Sequence, residues 1–163
     1  PQRLRRIHSP KSLLNNKKNI GQMIQIAREF PEYTFHISGT WQDNRLRAYF
    51  EHSKAQQDCN NLIYTGHHAD IDGFLEDKNF LLNTSLWESF SFAVHEAMAK
   101  GIKVAINNFV GAEDLWPKEL IYSNWIEFCA ILESPYESKK YREWVETRYS
   151  LDDQIKKIEE LLQ

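Results

Sequence analysis

Phe80-Leu81-Leu82-Asn83-Thr84-Ser85-Leu86-Trp87-Glu88-Ser89-Phe90-Ser91-Phe92-Ala93-Val94-His95-Glu96-Ala97-Met98-Ala99-Lys100-Gly101-Ile102-Lys103-Val104-Ala105-Ile106 is the stretch that decides the fold. It opens on a short apolar run, Phe80-Leu81-Leu82, of the kind found in strands buried on both faces. Small polar residues then make a turn. Phe92 to Lys100 reads as a helix, and Gly101 is its stop. Val104-Ala105-Ile106 is a second buried strand. A strand, a helix and a strand at this spacing make a right-handed crossover between parallel neighbours.

The same alternation continues in both directions. Upstream, a first strand is expected to end at Ile7. A helix over 19–30 follows, with Ile20, Met23, Ile24, Ala27 and Phe30 at helical spacing and Asn19 in the capping position. Tyr33 to Ile37 alternates as a strand, ended by Gly39. A polar helix over 44–56, a strand Leu62-Ile63-Tyr64 closed by Gly66, and a short helix over 71–75 lead into the central stretch. Downstream, Leu120-Ile121-Tyr122 is a last short strand, followed by helices over 125–132, 138–147 and 151–162. Leu151, Ile155, Ile158 and Leu162 give the last helix one apolar face. The fold class is α/β: a Rossmann-like, doubly wound parallel sheet of about six strands, helices on both faces, and extra C-terminal helices. Such sheets bind ligands beyond the carboxyl ends of their strands, here the loops after Ile7, Ser38, Tyr64, Thr84 and Ile106.

The 163 residues suit one domain. No run is long and apolar enough to span a bilayer, and no charged start followed by an apolar stretch marks a signal peptide. Cys59 and Cys129 form no C-x-x-C and read as reduced thiols of a cytoplasmic protein. Pro1 in place of Met is read as the start of a piece cut from a longer chain. Net charge is −3, but residues 1–54 carry a balance of +6 on an otherwise acidic body. That points to a local anion site and away from a nucleic-acid surface, which needs a positive stripe across one face.

In the central stretch, Glu88 lies just before the helix and Glu96 about one turn inside it. With 15 glutamates in the chain, spacing alone is weak, since about one pair eight apart is expected by chance. Placement says more. The two carboxylates flank the backbone N–H groups of Phe90, Ser91 and Phe92, which with the helix dipole make an anion seat. Carboxylates on either side can accept hydrogen bonds from sugar hydroxyls.

The segment S-x-x-E-S-F-S-F-A-x-x-E-A-M-A-x-G resembles the E-x(7)-E segment of retaining group 1 glycosyltransferases of two-domain GT-B architecture. There it reads approximately E-G-F-G-x-x-x-x-E-A-M-A-x-G-x-P-V-V. Lys18-Asn19-Ile20, Gly39, Tyr64-Thr65-Gly66, Val110-Gly111-Ala112-Glu113 and Tyr149-Ser150 also fit. Residues 1–163 would then be the donor-binding domain, and the acceptor-binding N-terminal domain lies outside this chain.

The resemblance implies transfer of a sugar from a nucleoside-diphosphate sugar to a glycan or lipid acceptor with retention. It implies no required cofactor and no metal, and gives no nucleic acid and no transmembrane segment as partners. Location would be cytoplasmic, peripheral at the inner face of a membrane through the missing domain. Glu96 would hold the ribose hydroxyls and Glu88 a hydroxyl of the donor sugar. Arg6 and a lysine would take the phosphates. Lys11 has the usual five-residue spacing from Arg6, whereas Lys18, preferred here, has the right place before the helix. Ser89, Phe90, Ser91, Phe92, Gly39, Thr65, Gly66 and His67 would line the donor.

Two departures from the pattern are Ser89 and Ser91 in place of glycines and Lys103 in place of proline. Ser89 either narrows the loop or marks an unusual donor. Other readings are a sugar-nucleotide epimerase or hydrolase of the same architecture, and a non-catalytic α/β interaction module. Asp70-Ile71-Asp72 is read as a helix cap, and His67-His68 lacks a third metal ligand. His95 is either a core histidine or a donor-side neighbour.

Overall fold

The computed structural model describes residues 6–162, with side chains from Leu13 onward. Among the described residues six strands form one parallel sheet: β1 (Arg6–Leu14), β2 (Thr34–Trp41), β3 (Leu62–Gly66), β4 (Phe80–Asn83), β5 (Lys103–Asn107) and β6 (Ile121–Tyr122). Their order is β3-β2-β1-β4-β5-β6, with every pairing parallel. Crossovers are made by α1 (Ile20–Glu29), α2 (Asn44–Gln56), α3 (Ile71–Leu75), α4 (Phe92–Ala99) and α5 (Ala112–Leu115). Then α6 (Trp125–Glu133), α7 (Ser138–Arg148) and α8 (Leu151–Leu161) close the chain. The chain reverses direction across the sheet between β1 and β4. This is the switch point at which such sheets open a crevice for ligands.

The core explains why these segments fold as they do. Leu81, Val104, Ala105 and Ile106 in the middle strands and Ile24, Ala27, Val94, Ala97 and Met98 in the covering helices are fully buried. Burying a side chain of leucine or isoleucine size stabilises by about 1.5–3 kcal/mol. The aliphatic runs therefore commit β4 and β5 to the centre. Cys59 is buried and Cys129 half-buried, both as free thiols. The face Leu151, Ile155, Ile158 and Leu161 of α8 is exposed throughout. Among the described residues no helix is long and apolar enough to cross a membrane.

Three local expectations are corrected. β1 does not end at Ile7 but continues to Leu14, with a register break against β2 between Ser9 and Ser12. Pro10, which has no N–H to donate, sits in that break, and the ladder to β4 stops at His8. The polar run Ser9-Pro10-Lys11-Ser12 is thus irregular strand, not loop. Gly39 does not end β2 either. It lies inside the strand at φ +144°, beyond another register break between Ile37 and Ser38 on the β3 side. Asn19 is left-handed at φ +52° and makes no capping bond; its side chain donates to Gln22 instead.

Candidate functional site

The loop from β4 to α4 is held from three sides. Asn83 ends β4, and its Oδ1 accepts the N–H of Ser85 at 2.9 Å. Its Nδ2 donates across the loop to Ser91 Oγ at 3.4 Å. Asn107, at the end of β5, donates to the carbonyl of Ser85 at 3.0 Å. From the other side comes the turn between β1 and α1. Thr84 Oγ1 donates to the carbonyl of Lys18 at 2.6 Å, and Leu86 N–H donates to the carbonyl of Lys17 at 2.8 Å. Neighbouring parallel strands thus present their carboxyl ends together, and the two loops are laced into one floor.

On that floor Lys18 and Glu88 form an ion pair, both side chains more than nine-tenths buried. Ser85 Oγ sits between them, donating to Glu88 Oε1 at 2.9 Å and accepting from Lys18 Nζ at 3.5 Å. A buried pair of this kind contributes little net stability. Removing one partner, however, leaves an uncompensated charge at a cost of about 3–5 kcal/mol. The N-terminus of α4 opens just beyond, where the N–H groups of Ser91, Phe92 and Ala93 have no preceding carbonyl within the helix. Glu96 is exposed one turn further on. An anion seat, a cation and two carboxylates therefore share one end of the sheet.

The other candidates fall into place around this centre. Ser89 is exposed and Ser91 buried, and neither has a positive φ, so serine replaces glycine there without backbone strain. Phe92 and Trp87 are largely exposed beside the seat. Phe90 turns away from it and stacks on His95 at 3.9 Å. His95 is a core histidine: it is buried against Trp116 and Tyr149, and its Nδ1 bonds the carbonyl of Ser91 at 3.0 Å. Since that carbonyl can only accept, Nδ1 carries the proton. Burial holds its pKa below the ordinary value.

Tyr64 donates to the carbonyl of Gly39 at 2.9 Å, and Thr65 Oγ1 donates to the carbonyl of Ile37 at 3.0 Å. Both therefore brace β2 against β3. Gly66 has φ +79°, which glycine supplies without strain, and His67 after it is exposed. Asp70 caps α3 by accepting from Gly73 at 3.0 Å, as expected.

Arg6 is not brought to this end. It starts β1 opposite Thr34, one residue before the pairing of Ile7 with Phe80. Four strand steps, roughly 13 Å, separate that level from Asn83. The Arg6 side chain lies outside the described ones, as does that of Lys11, which falls in the register break of β1. A five-residue spacing counted back from Lys18 reaches Leu13, a half-exposed residue near the end of β1. Sequence reasoning missed Asn83, Ser85 and Asn107. A polar residue closing each of two apolar strands was the available signal for the two asparagines.

A family model for group 1 glycosyl transferases matches residues 11–118, about two thirds of the chain. The chain belongs to this family. No curated sequence matches it. Among solved structures, HepE of Anabaena in complex with UDP and glucose superposes with a TM-score of 0.83 at 18% identity. That match covers 98% of this chain and 48% of HepE. S. aureus TarM, as a variant bound to fondaparinux, alpha-GlcNAc-glycerol and UDP, gives a TM-score of 0.81 at 20% identity, covering 99% and 36%. The C-terminal domain of the group 1 family protein LpcC from Francisella tularensis gives 0.72 at 16%, covering 90% and 87%. The glycosyltransferase chain thus spans less than half the length of HepE and TarM but nearly all of the isolated LpcC domain. At these identities the likeness establishes the fold alone.

Proposed function

We propose that this chain is the donor-binding half of a retaining glycosyltransferase that uses a nucleoside-diphosphate sugar. The observation that carries the reading is the convergence of Lys18, Glu88 and the N-terminus of α4 at the switch point of the sheet. The diphosphate lies against Lys18 and the N–H groups opening α4, where charge and dipole both favour an anion. Glu88 accepts a hydroxyl of the sugar, and Glu96 accepts the ribose hydroxyls. Gly66 and His67, at the end of β3, flank the base.

In the transfer, the bond between the sugar's anomeric carbon and the phosphate oxygen breaks, and its electron pair stays on the diphosphate. The same carbon bonds the acceptor oxygen, whose proton is released. Lys18 and the helix terminus oppose the charge that grows on the departing diphosphate, and losing one such preorganised group costs on the order of 10²–10³ in rate.

The UDP complexes of HepE and TarM support a nucleotide ligand. The acceptor, a glycan or a lipid, would be bound by an N-terminal domain of a longer chain, across a cleft of which this site is one wall. The work would be done in the cytoplasm, where nucleotide sugars are made, at the inner face of a membrane if the acceptor is a lipid. The exposed Trp87 and Phe92 at the rim agree with a wall that is covered in the complete enzyme.

Calorimetric titration with UDP, GDP and ADP, repeated on Glu96→Ala, tests the reading. Binding of one nucleotide, lost in the variant, is expected. Binding unchanged in Glu96→Ala would remove the ribose role, and no binding by any of the three, here or in a longer chain, would overturn the proposal.

A further inference from the structure

We propose that Glu88 competes with the nucleoside diphosphate for Lys18, so that the pair opens as the donor enters and recloses to expel the product once the sugar has left. This rests on the donor-site reading above and adds a direction to it, because the site is built to hold the sugar-bearing donor more tightly than the bare diphosphate.

The geometry supplies the competition. Lys18 Nζ is committed to Glu88 and Ser85, both on the β4–α4 loop, and its own backbone carbonyl is fixed by Thr84. The ammonium has three protons, so a phosphate arriving at the α4 N-terminus finds one of them at most unclaimed. It also finds a carboxylate beside the cation, and like charges a few ångströms apart in a half-dry site repel strongly.

Two things change when a sugar is attached. A sugar hydroxyl donates to Glu88, giving that carboxylate a partner other than Lys18, and the diphosphate carries one charge fewer than it does when free. Among the described residues, both bonds reaching Glu88 end on Oε1, which leaves Oε2 for that hydroxyl. After transfer both changes reverse. The hydroxyl departs with the sugar, the phosphate gains its charge, and Glu88 is left facing it with Lys18 as its nearest partner. Ser85 holds the path short, since one hydroxyl bridges the two side chains and its backbone is clamped by Asn83 and Asn107. The carboxylate that helps bind the donor is therefore also the group that drives the product out.

The test compares wild type with Glu88→Gln, which keeps the shape and a hydrogen-bond acceptor for Ser85 but drops the charge. UDP, GDP and ADP are titrated into both, and the release rate of whichever binds is followed by stopped flow. Glu88→Gln is expected to bind that nucleoside diphosphate at least about tenfold more tightly, through slower release. The double variant Lys18→Met/Glu88→Gln is expected to bind more weakly than wild type. If Glu88→Gln lowers the melting temperature, the rise that the nucleotide restores reads the same quantity and should exceed the wild-type rise. Equal or weaker binding by Glu88→Gln, with wild type binding, overturns the competition and leaves the donor site standing. Failure of every nucleotide on wild type and variant alike overturns both.

Discussion

Asn107 Nδ2 donates to the carbonyl oxygen of Ser85 at 3.0 Å, tying the end of β5 to the loop that carries Glu88. The bond spans two adjacent parallel strands at their carboxyl ends, and Asn83 holds the N–H of the same residue. Ser85 is thereby gripped on both sides of its backbone. This is how a loop is made as rigid as the sheet beneath it, and a preorganised site depends on such support.

Asn107→Ala should loosen the site more than the fold. The substitution leaves the Ser85 carbonyl without this donor, at a cost of about 1–3 kcal/mol if no water replaces it. We expect a melting temperature lower by a few degrees and nucleotide affinity reduced several-fold, with Asn107→Asp no better because it cannot donate. Affinity that survives intact in both variants would show that the clamp does not govern the seat.

The pH dependence of stability should contain a component from His95. Its folded-state pKa lies below 6.5 because burial disfavours the charged ring. Below about pH 6.5 the unfolded chain therefore binds more protons than the folded one, so stability falls as pH falls and is recovered on returning to neutral. The melting temperature should drop between pH 7.5 and pH 5.5. His95→Leu should flatten part of that slope while lowering the plateau, since the bond to Ser91 and the stack on Phe90 are lost. An unchanged slope in the variant would assign the dependence to other groups.

Much of this was legible in the sequence. Phe80 to Ile106 alternates strand and helix so regularly that the parallel sheet followed from it, and the aliphatic runs are the fully buried strands. Glu88 and Lys18 were readable from the segment and from the position before α1. The contact between them was not, because partners 70 positions apart leave no local trace in a single sequence. The end of β1 was misjudged for a physical reason. Serine, proline and lysine over 9–12 carry the composition of a loop, yet the chain stays extended there through a register break that only pairing with β2 can reveal. The same break sets the backbone of Arg6, which the resemblance implies at the phosphates, at the far end of β1 from Lys18.

Lys103, where the family pattern has proline, has a structural role that can be tested by stability alone. It is buried at the start of β5, and its ammonium donates to the carbonyls of Ser134 at 2.6 Å and Leu132 at 3.3 Å, at the C-terminal end of α6. A cation there satisfies carbonyls the helix cannot and complements its dipole. Lys103→Met should cost about 1–3 kcal/mol in chemical denaturation, with an unchanged denaturant slope. Nucleotide affinity should hold, because this end of the sheet is opposite Glu88. A fall in affinity without a loss of stability would contradict that assignment.

Serine at positions 89 and 91 raises the question of whether the loop still accepts a donor. Both backbones lie outside the positive-φ region, so glycine's freedom is not needed at either. Ser91 is buried with its hydroxyl near Asn83, whereas Ser89 points its small side chain to solvent. Ser89→Gly should therefore leave nucleotide affinity within about twofold and lower stability by no more than about 1 kcal/mol, chiefly by freeing the unfolded chain. Ser91→Gly should be the more damaging of the two, because it takes away the group that Asn83 reaches across the loop. Calorimetry on the pair decides the matter. A tenfold gain in affinity for Ser89→Gly would mean that the serine does narrow the seat.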